Sequence, residues 1–194
     1  MLTSTNSEKQ KLSESQSLIQ SDLIYNGKII SLRKDVYYDS VQTKQQYDIV
    51  LHPGAVAIIP IDDEENIYFV KQWRRAANEI LLELPAGTLE PGEKPAESAT
   101  RELQEEIGFA PKNLISLGGI YTAPGFSNEF IHLFLAEGLI KSPLKGEDSD
   151  YIDVIKTPIN KTLNLLSEGH IRDAKTLSGI LIYLHYKNRI SIGF

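Results

Sequence analysis

Cysteine is absent from the 194 residues. That removes disulfides, thiolate zinc sites and thiol nucleophiles together, and it suits a reducing compartment. Missing too is any apolar run near the roughly 18 residues that span a bilayer. The polar opening MLTSTNSEKQKLSESQSLIQ has no signal-peptide core. Positive charge is scarce: 20 Lys and Arg stand against 26 Asp and Glu, a net charge of −6. Nucleic-acid phosphates select clustered cations, so neither nucleic acid nor a membrane is an expected partner. A small phosphorylated substrate stays open, because a metal can bridge acidic side chains to an anion. These absences point to a soluble, cytoplasmic protein. Its 41% hydrophobic and 24% charged residues are ordinary for a globular chain of one domain, or one domain with a short appendage.

The stretch 1–22, rich in Ser, Gln and Lys, reads as a flexible tail or a loosely attached helix. Residues 23–50 read as short strands, a possible dimerisation region, with a tight turn at Asn26-Gly27. The remainder, 51–194, reads as the main domain. Ala55–Ile61 is a continuous apolar run, expected as a buried strand, and Ile67–Val70 pairs with it across the polar turn 62–66. Further strands are expected at 80–84 and 130–136. The clearest helix is 95–107: Pro95 suits the first turn, Gly108 the stop, and Ala96, Ala99, Leu103 and Ile107 share one face. Two more helices are expected at 158–168 and from an N-cap at Asp173. Strands mixed with helices imply an α/β layered fold.

The informative stretch is 87–109, GTLEPGEKPAESATRELQEEIGF. Glu102 and Glu106 are four apart and so share one helix face, where like charges repel. They also lie towards the C-terminal end of the helix, where its dipole disfavours negative charge. A hard divalent cation would make sense of that placement, since magnesium prefers oxygen ligands. On helix chemistry alone, a solvated acidic face explains the pattern equally well.

The same stretch resembles the Nudix box at every fixed position: Gly87, Glu93, Arg101, Glu102, Leu103, Glu105, Glu106, Gly108 and Phe109. The resemblance implies the Nudix α/β/α sandwich with a mixed sheet. It makes Glu102 and Glu106 metal ligands together with the carbonyl of Ala86, and Glu105 a further ligand or a base. Arg101 belongs to the catalytic centre as the residue that pairs with box carboxylates such as Glu93. The metal implied is Mg2+, with Mn2+ as a substitute.

Features outside the box resemble the ADP-ribose pyrophosphatase subgroup. They are Gln72-Trp73-Arg74 ahead of Leu82-Glu83-Leu84-Pro85-Ala86-Gly87, His52-Pro53-Gly54, and Pro124 sixteen residues after Gly108. By that resemblance Arg74 contacts the substrate's phosphates or terminal ribose, and Pro124, Ser127 and Glu129 lie on the loop near that ribose. Two departures stand out. Asp150 holds the place where relatives often carry a metal-binding Glu that serves as base, and Glu147 and Asp148 are neighbouring substitutes. Tyr47 stands where relatives often carry an adenine-contacting Arg, and its ring suits stacking on a base. The four histidines show no ligand spacing and read as structural.

What the resemblance implies is metal-dependent hydrolysis of the pyrophosphate of a nucleoside diphosphate derivative, ADP-ribose first, giving AMP and ribose 5-phosphate, by a homodimer. The rival readings are another substrate such as GDP-mannose, a non-catalytic ligand-sensing domain, and a protein-interaction module.

Overall fold

The computed structural model describes residues 5–39, 41–146 and 149–187. Two compact units divide them: residues 1–53 with 123–129, and residues 54–122 with 130–194. The loop 123–129 therefore joins the N-terminal unit, which the sequence division at residue 50 does not anticipate.

In the first unit, helix α1 (Asn6–Gln16) is followed by strands β1 (Leu18–Asn26), β2 (Ser31–Tyr38) and β3 (Lys44–Leu51), an antiparallel sheet in that order. Thr5 caps α1 in a reciprocal box: Glu8 N–H donates to Thr5 Oγ1 at 3.3 Å, and Thr5 N–H donates to Glu8 Oε2 at 2.7 Å. The helix and the start of β1 both fall inside the stretch 1–22, expected as a flexible tail or a loosely attached helix. No residue of α1 is buried, so capping holds it more than packing does. The turn after β1 is wider than the Asn-Gly pair suggests: residues 27–30 form the loop, closed by Gly27 N–H on the Ile30 carbonyl at 3.0 Å. The loop 123–129 is sewn to the end of β3. Val50 N–H donates to the Phe126 carbonyl at 2.7 Å, and His52 N–H to Asn128 Oδ1 at 2.7 Å.

The second unit contains β4 (Ala55–Ile61), β5 (Asn66–Arg74), β6 (Glu79–Glu83), β7 (Ala86–Thr88), α2 (Pro95–Glu106), β8 (Phe109–Tyr121), β9 (Phe130–Lys141), a 3-10 turn (Ser149–Tyr151), β10 (Asp153–Pro158), α3 (Ile159–Ser167) and α4 (Ala174–Tyr186). Its sheet runs β10-β5-β4-β9-β8, with β6 on β5 and β7 on β4. The sheet is mixed: β4 and β9 are parallel, the other pairs antiparallel. The expected β4–β5 hairpin meets at one register pair, Ile61 and Ile67, because β9 lines one edge of β4 and β7 takes Ala55, Val56 and Ala57 on the other, with Ile58 N–H bonded to the Pro85 carbonyl.

Every residue of β4 is buried, which is why its sequence is continuously apolar. Its two faces serve two cores. Val56 and Ile58 pack with Ala99, Leu103 and Ile107 of the α2 segment and with Phe134 and Ala136. Ile59 and Ile61 pack with Phe69, Leu84 and Leu135, and with Ile180, Tyr183 and Leu184 of α4. A sheet with α2 against one face and α3 and α4 against the other is the expected α/β/α arrangement.

Candidate active site

The site grows from the join of β7 and α2. Pro95 opens the helix, and Gly108 follows it at φ +79°, a conformation glycine adopts without strain. Gly87 sits in β7 against the Glu102 carboxylate. A Cβ at Gly87 would come within 1.9 Å of Glu102 Oε1, so only glycine leaves room for that carboxylate. One residue earlier, the Ala86 N–H donates to Glu106 Oε2 at 3.0 Å. The β7 backbone thus touches both carboxylates that share the face of α2.

Arg101 organises the rest. Its Nε and Nη2 grip Glu93 at 2.8 and 3.0 Å, and its Nη1 donates to Glu102 Oε1 at 2.6 Å and Glu105 Oε2 at 3.3 Å. Nη2 also reaches Ser98 Oγ at 3.1 Å. The fork holds the box loop onto the helix and spaces three carboxylates. The bond from Arg101 holds Glu93 down at about 2 despite some desolvation.

Electrostatics at the other two acids runs the opposite way. Desolvation pushes Glu102 up even though Arg101 pulls it down. Glu106 is pushed up to about 8, first by desolvation and then by the charge of Glu102, against the Ala86 N–H, Arg74 and Lys175. Two carboxylates poorly solvated beside each other call for a cation. Among the described residues no three Asp, Glu or His groups converge on one point, with Glu102 turned to Arg101 and Glu106 to the Ala86 N–H. The donors are all oxygen, which suits a hard divalent ion such as magnesium rather than a thiolate- or imidazole-seeking one.

The residues leading towards Asp150 lie beside this cluster. Leu144 N–H donates to the Gln104 carbonyl at 3.0 Å, and a Cβ at Gly146 would meet Glu105 Cβ and Oε2 at 3.0 Å. Asp150 is exposed on the 3-10 turn, two residues past Asp148; Glu147 and Asp148 lie outside the described residues.

Arg74, at the end of β5, is not free. Its Nε and Nη2 donate to Glu83 Oε1 and Oε2 at 2.7 and 2.6 Å. Glu83 is 1% exposed and also receives Lys175 from α4. Burial alone would raise its pKa, but Arg74 and Lys175 hold it below the ordinary carboxylate value. Sequence reasoning quoted Glu83 only as a motif letter and passed over Lys175. The available signal is a single acid between Leu82 and Leu84 at the buried end of β6, where a carboxylate demands a cation.

The remaining expected substrate residues belong to the first unit. Tyr47 is half-exposed, its ring 5.6 Å from that of Tyr37. Pro124 is exposed; Ser127 Oγ accepts from Glu129 N–H at 3.1 Å, and the Glu129 carboxylate lies 3.7 Å from His52 Nε2. His132 stacks edge-on against Phe130 at 4.9 Å, and His170 lies 3.3 Å from Glu168.

Comparison with known proteins bears on the family and the fold. The NUDIX domain pattern matches residues 51–177. The chain is 36% identical over 178 residues to the ADP-ribose pyrophosphatase of Bacillus subtilis (strain 168), covering 89% of this chain and 94% of that protein. It is 38% identical over 165 residues to the methanol dehydrogenase activator of Bacillus methanolicus, covering 84% and 89%. The crystal structure of an ADP compounds hydrolase superposes with a TM-score of 0.80 at 21% identity, over 90% of this chain and 96% of that one, and so shares the fold. With a complete box folded around Gly87 and Arg101, and with these relatives along most of its length, the chain belongs to the Nudix hydrolase family.

Proposed function

We propose that the protein hydrolyses the pyrophosphate bond of ADP-ribose to AMP and ribose 5-phosphate, with Mg2+ as the activating ion and Mn2+ as a substitute. The observation that carries this reading is the packing of the Glu102 and Glu106 carboxylates against the β7 backbone at Gly87 and Ala86. Glu102, Glu106 and the Ala86 carbonyl would hold the metal, with Asp150 a further ligand. Bound there, magnesium neutralises diphosphate charge and lowers the pKa of water. Arg101 fixes the spacing of Glu93, Glu102 and Glu105. Glu105 or Asp150 takes the proton of the attacking water; Glu105 is the better placed, within the Arg101 network and beside Gly146. Arg74, charged at every working pH, faces the substrate's phosphates or terminal ribose. Tyr47, Pro124, Ser127 and Glu129 serve the base and terminal ribose.

ADP-ribose is favoured over GDP-mannose by the Arg74 segment, by Pro124, and by the activity named for the 36% identical relative. The Bacillus methanolicus relative is named for activating another enzyme, and the hydrolytic reading rests on the carboxylate geometry rather than on that name. A homodimer is supported by β1, where Leu18, Ile19, Leu23, Ile24 and Tyr25 are all more than half exposed. No helix among the described residues is long and apolar enough to cross a membrane, and the cysteine-free chain suits the cytoplasm. The test is release of AMP from ADP-ribose with and without magnesium, beside GDP-mannose under the same conditions. AMP release that needs the metal and exceeds turnover of GDP-mannose supports the reading.

A further inference from the structure

Behind Arg74 runs a chain of paired charges, centred on the buried Glu83, that the box does not explain. Asp173 caps α4, accepting from Thr176 N–H at 3.0 Å, and lies 3.0 Å from Lys175 Nζ. Lys175, with a side chain 12% exposed, reaches Glu83, and Glu83 grips the fork of Arg74 through both its oxygens. Thr176 Oγ1 accepts from Leu84 N–H at 2.8 Å, fixing the same strand end to α4. Side-chain exposure is lowest at Glu83, 1%, and highest at Arg74, 39%, with Lys175 at 12% and Asp173 at 17%. Arg74 is the member best exposed to meet a ligand.

A planar guanidinium held by two parallel bonds cannot rotate freely, and its Nη1 takes no part in the fork. An arginine on a strand end would otherwise lose several side-chain torsions on meeting an anion. The clamp removes that entropy cost before substrate arrives. A buried carboxylate with one cation would satisfy its own charge; this one has two, with Asp173 balancing the second. Arg74 can therefore turn its positive field outward without stranding Glu83.

We propose that Glu83 is a positioning residue for substrate binding. Anchored to α4 through Lys175, it holds Arg74 in the orientation that receives the diphosphate of a nucleoside diphosphate sugar. The inference rests on the proposed function and deepens it.

A double-mutant cycle with ADP-ribose and magnesium tests it, using Glu83→Gln, Arg74→Ala and the pair. Glu83→Gln should raise KM about tenfold, the scale of weakening one charge-assisted contact, with kcat within about threefold. The double variant should be no worse than Arg74→Ala within about twofold, because both changes disable one device. Calorimetric titration with Mg2+ alone should give wild-type affinity in Glu83→Gln. Should Glu83→Gln fail to fold, Glu83→Asp, which keeps the charge and withdraws it by one methylene, carries the same cycle. Multiplying effects, a wild-type KM, or lost Mg2+ affinity would each overturn the proposal and make Glu83 a general scaffold residue. A wild-type protein that turns over no nucleoside diphosphate sugar brings down the functional reading, and this inference with it. Turnover with an additive cycle brings down the inference alone.

Discussion

At the scale of single residues, Gly87 carries the sharpest consequence. Its backbone and the Glu102 carboxylate share one space, and the carboxylate is the movable partner. Gly87→Ala should therefore leave the fold standing and displace Glu102 from its place on Arg101. A displacement near 1 Å at a catalytic group costs about 10²-fold, so kcat/KM for ADP-ribose should fall on that scale while Tm changes little. Wild-type kcat/KM in a folded Gly87→Ala protein would refute that role for the contact. The sequence disclosed this site well at Arg101, Glu102 and Glu106, because box spacing maps onto helix spacing and so onto one face. It disclosed Arg74 only in part. The clamp on Arg74 is Glu83, and its anchor Lys175 lies about a hundred positions from Arg74 along the chain, adjacent only after α4 packs on the sheet, so no local pattern announces that anchor.

Elements were legible where burial imposes a period. Ala55–Ile61 reads as a strand because both its faces are covered, and 95–107 as a helix because one face is. The stretch 1–22 left a flexible tail and a loosely attached helix both open for the opposite reason: α1 buries nothing, so only its Thr5–Glu8 cap signals it, and β1 is mostly exposed. Element junctions also hold charge pairs that composition does not show. Lys156 of β10 reaches Asp62 Oδ2 at 2.8 Å, tying the edge strand to the turn after β4. Asp62 is desolvated there, yet the bonds from Lys156 and Asn66 hold it down at about 2. A depressed carboxylate contributes stability that is present above its unfolded value near 4 and lost as pH falls through its folded value. Lys156 is 44% exposed, so solvent screens the pair and its contribution is small. In urea unfolding, wild type should be somewhat more stable than Lys156→Met at pH 6, and the gap should close as pH falls from 4 towards 2. A gap unchanged at low pH would place the effect in packing of the lysine stem instead.

At the scale of the whole molecule, apolar surface on β1 and a cluster of box carboxylates coexist in one chain. The exposed Leu23 and Ile24 have no reason to face water in a monomer that lacks a partner for them. Sedimentation should give about twice the 21.7 kDa chain mass, and Ile24→Lys should shift the population to monomer; a monomeric wild type would contradict the dimer. The central claim is that the Glu102–Glu106 face binds a metal that drives diphosphate hydrolysis. Its most direct measurement is the rate of AMP release from ADP-ribose by wild type and Glu106→Gln across a magnesium titration. Glutamine keeps the shape and the bond from the Ala86 N–H but loses the negative charge a divalent cation needs. Wild type should release AMP only with magnesium, and the folded variant should lose at least about hundredfold in rate, the scale on which a catalytic group acts. A folded Glu106→Gln protein that releases AMP at the wild-type rate would contradict the central claim.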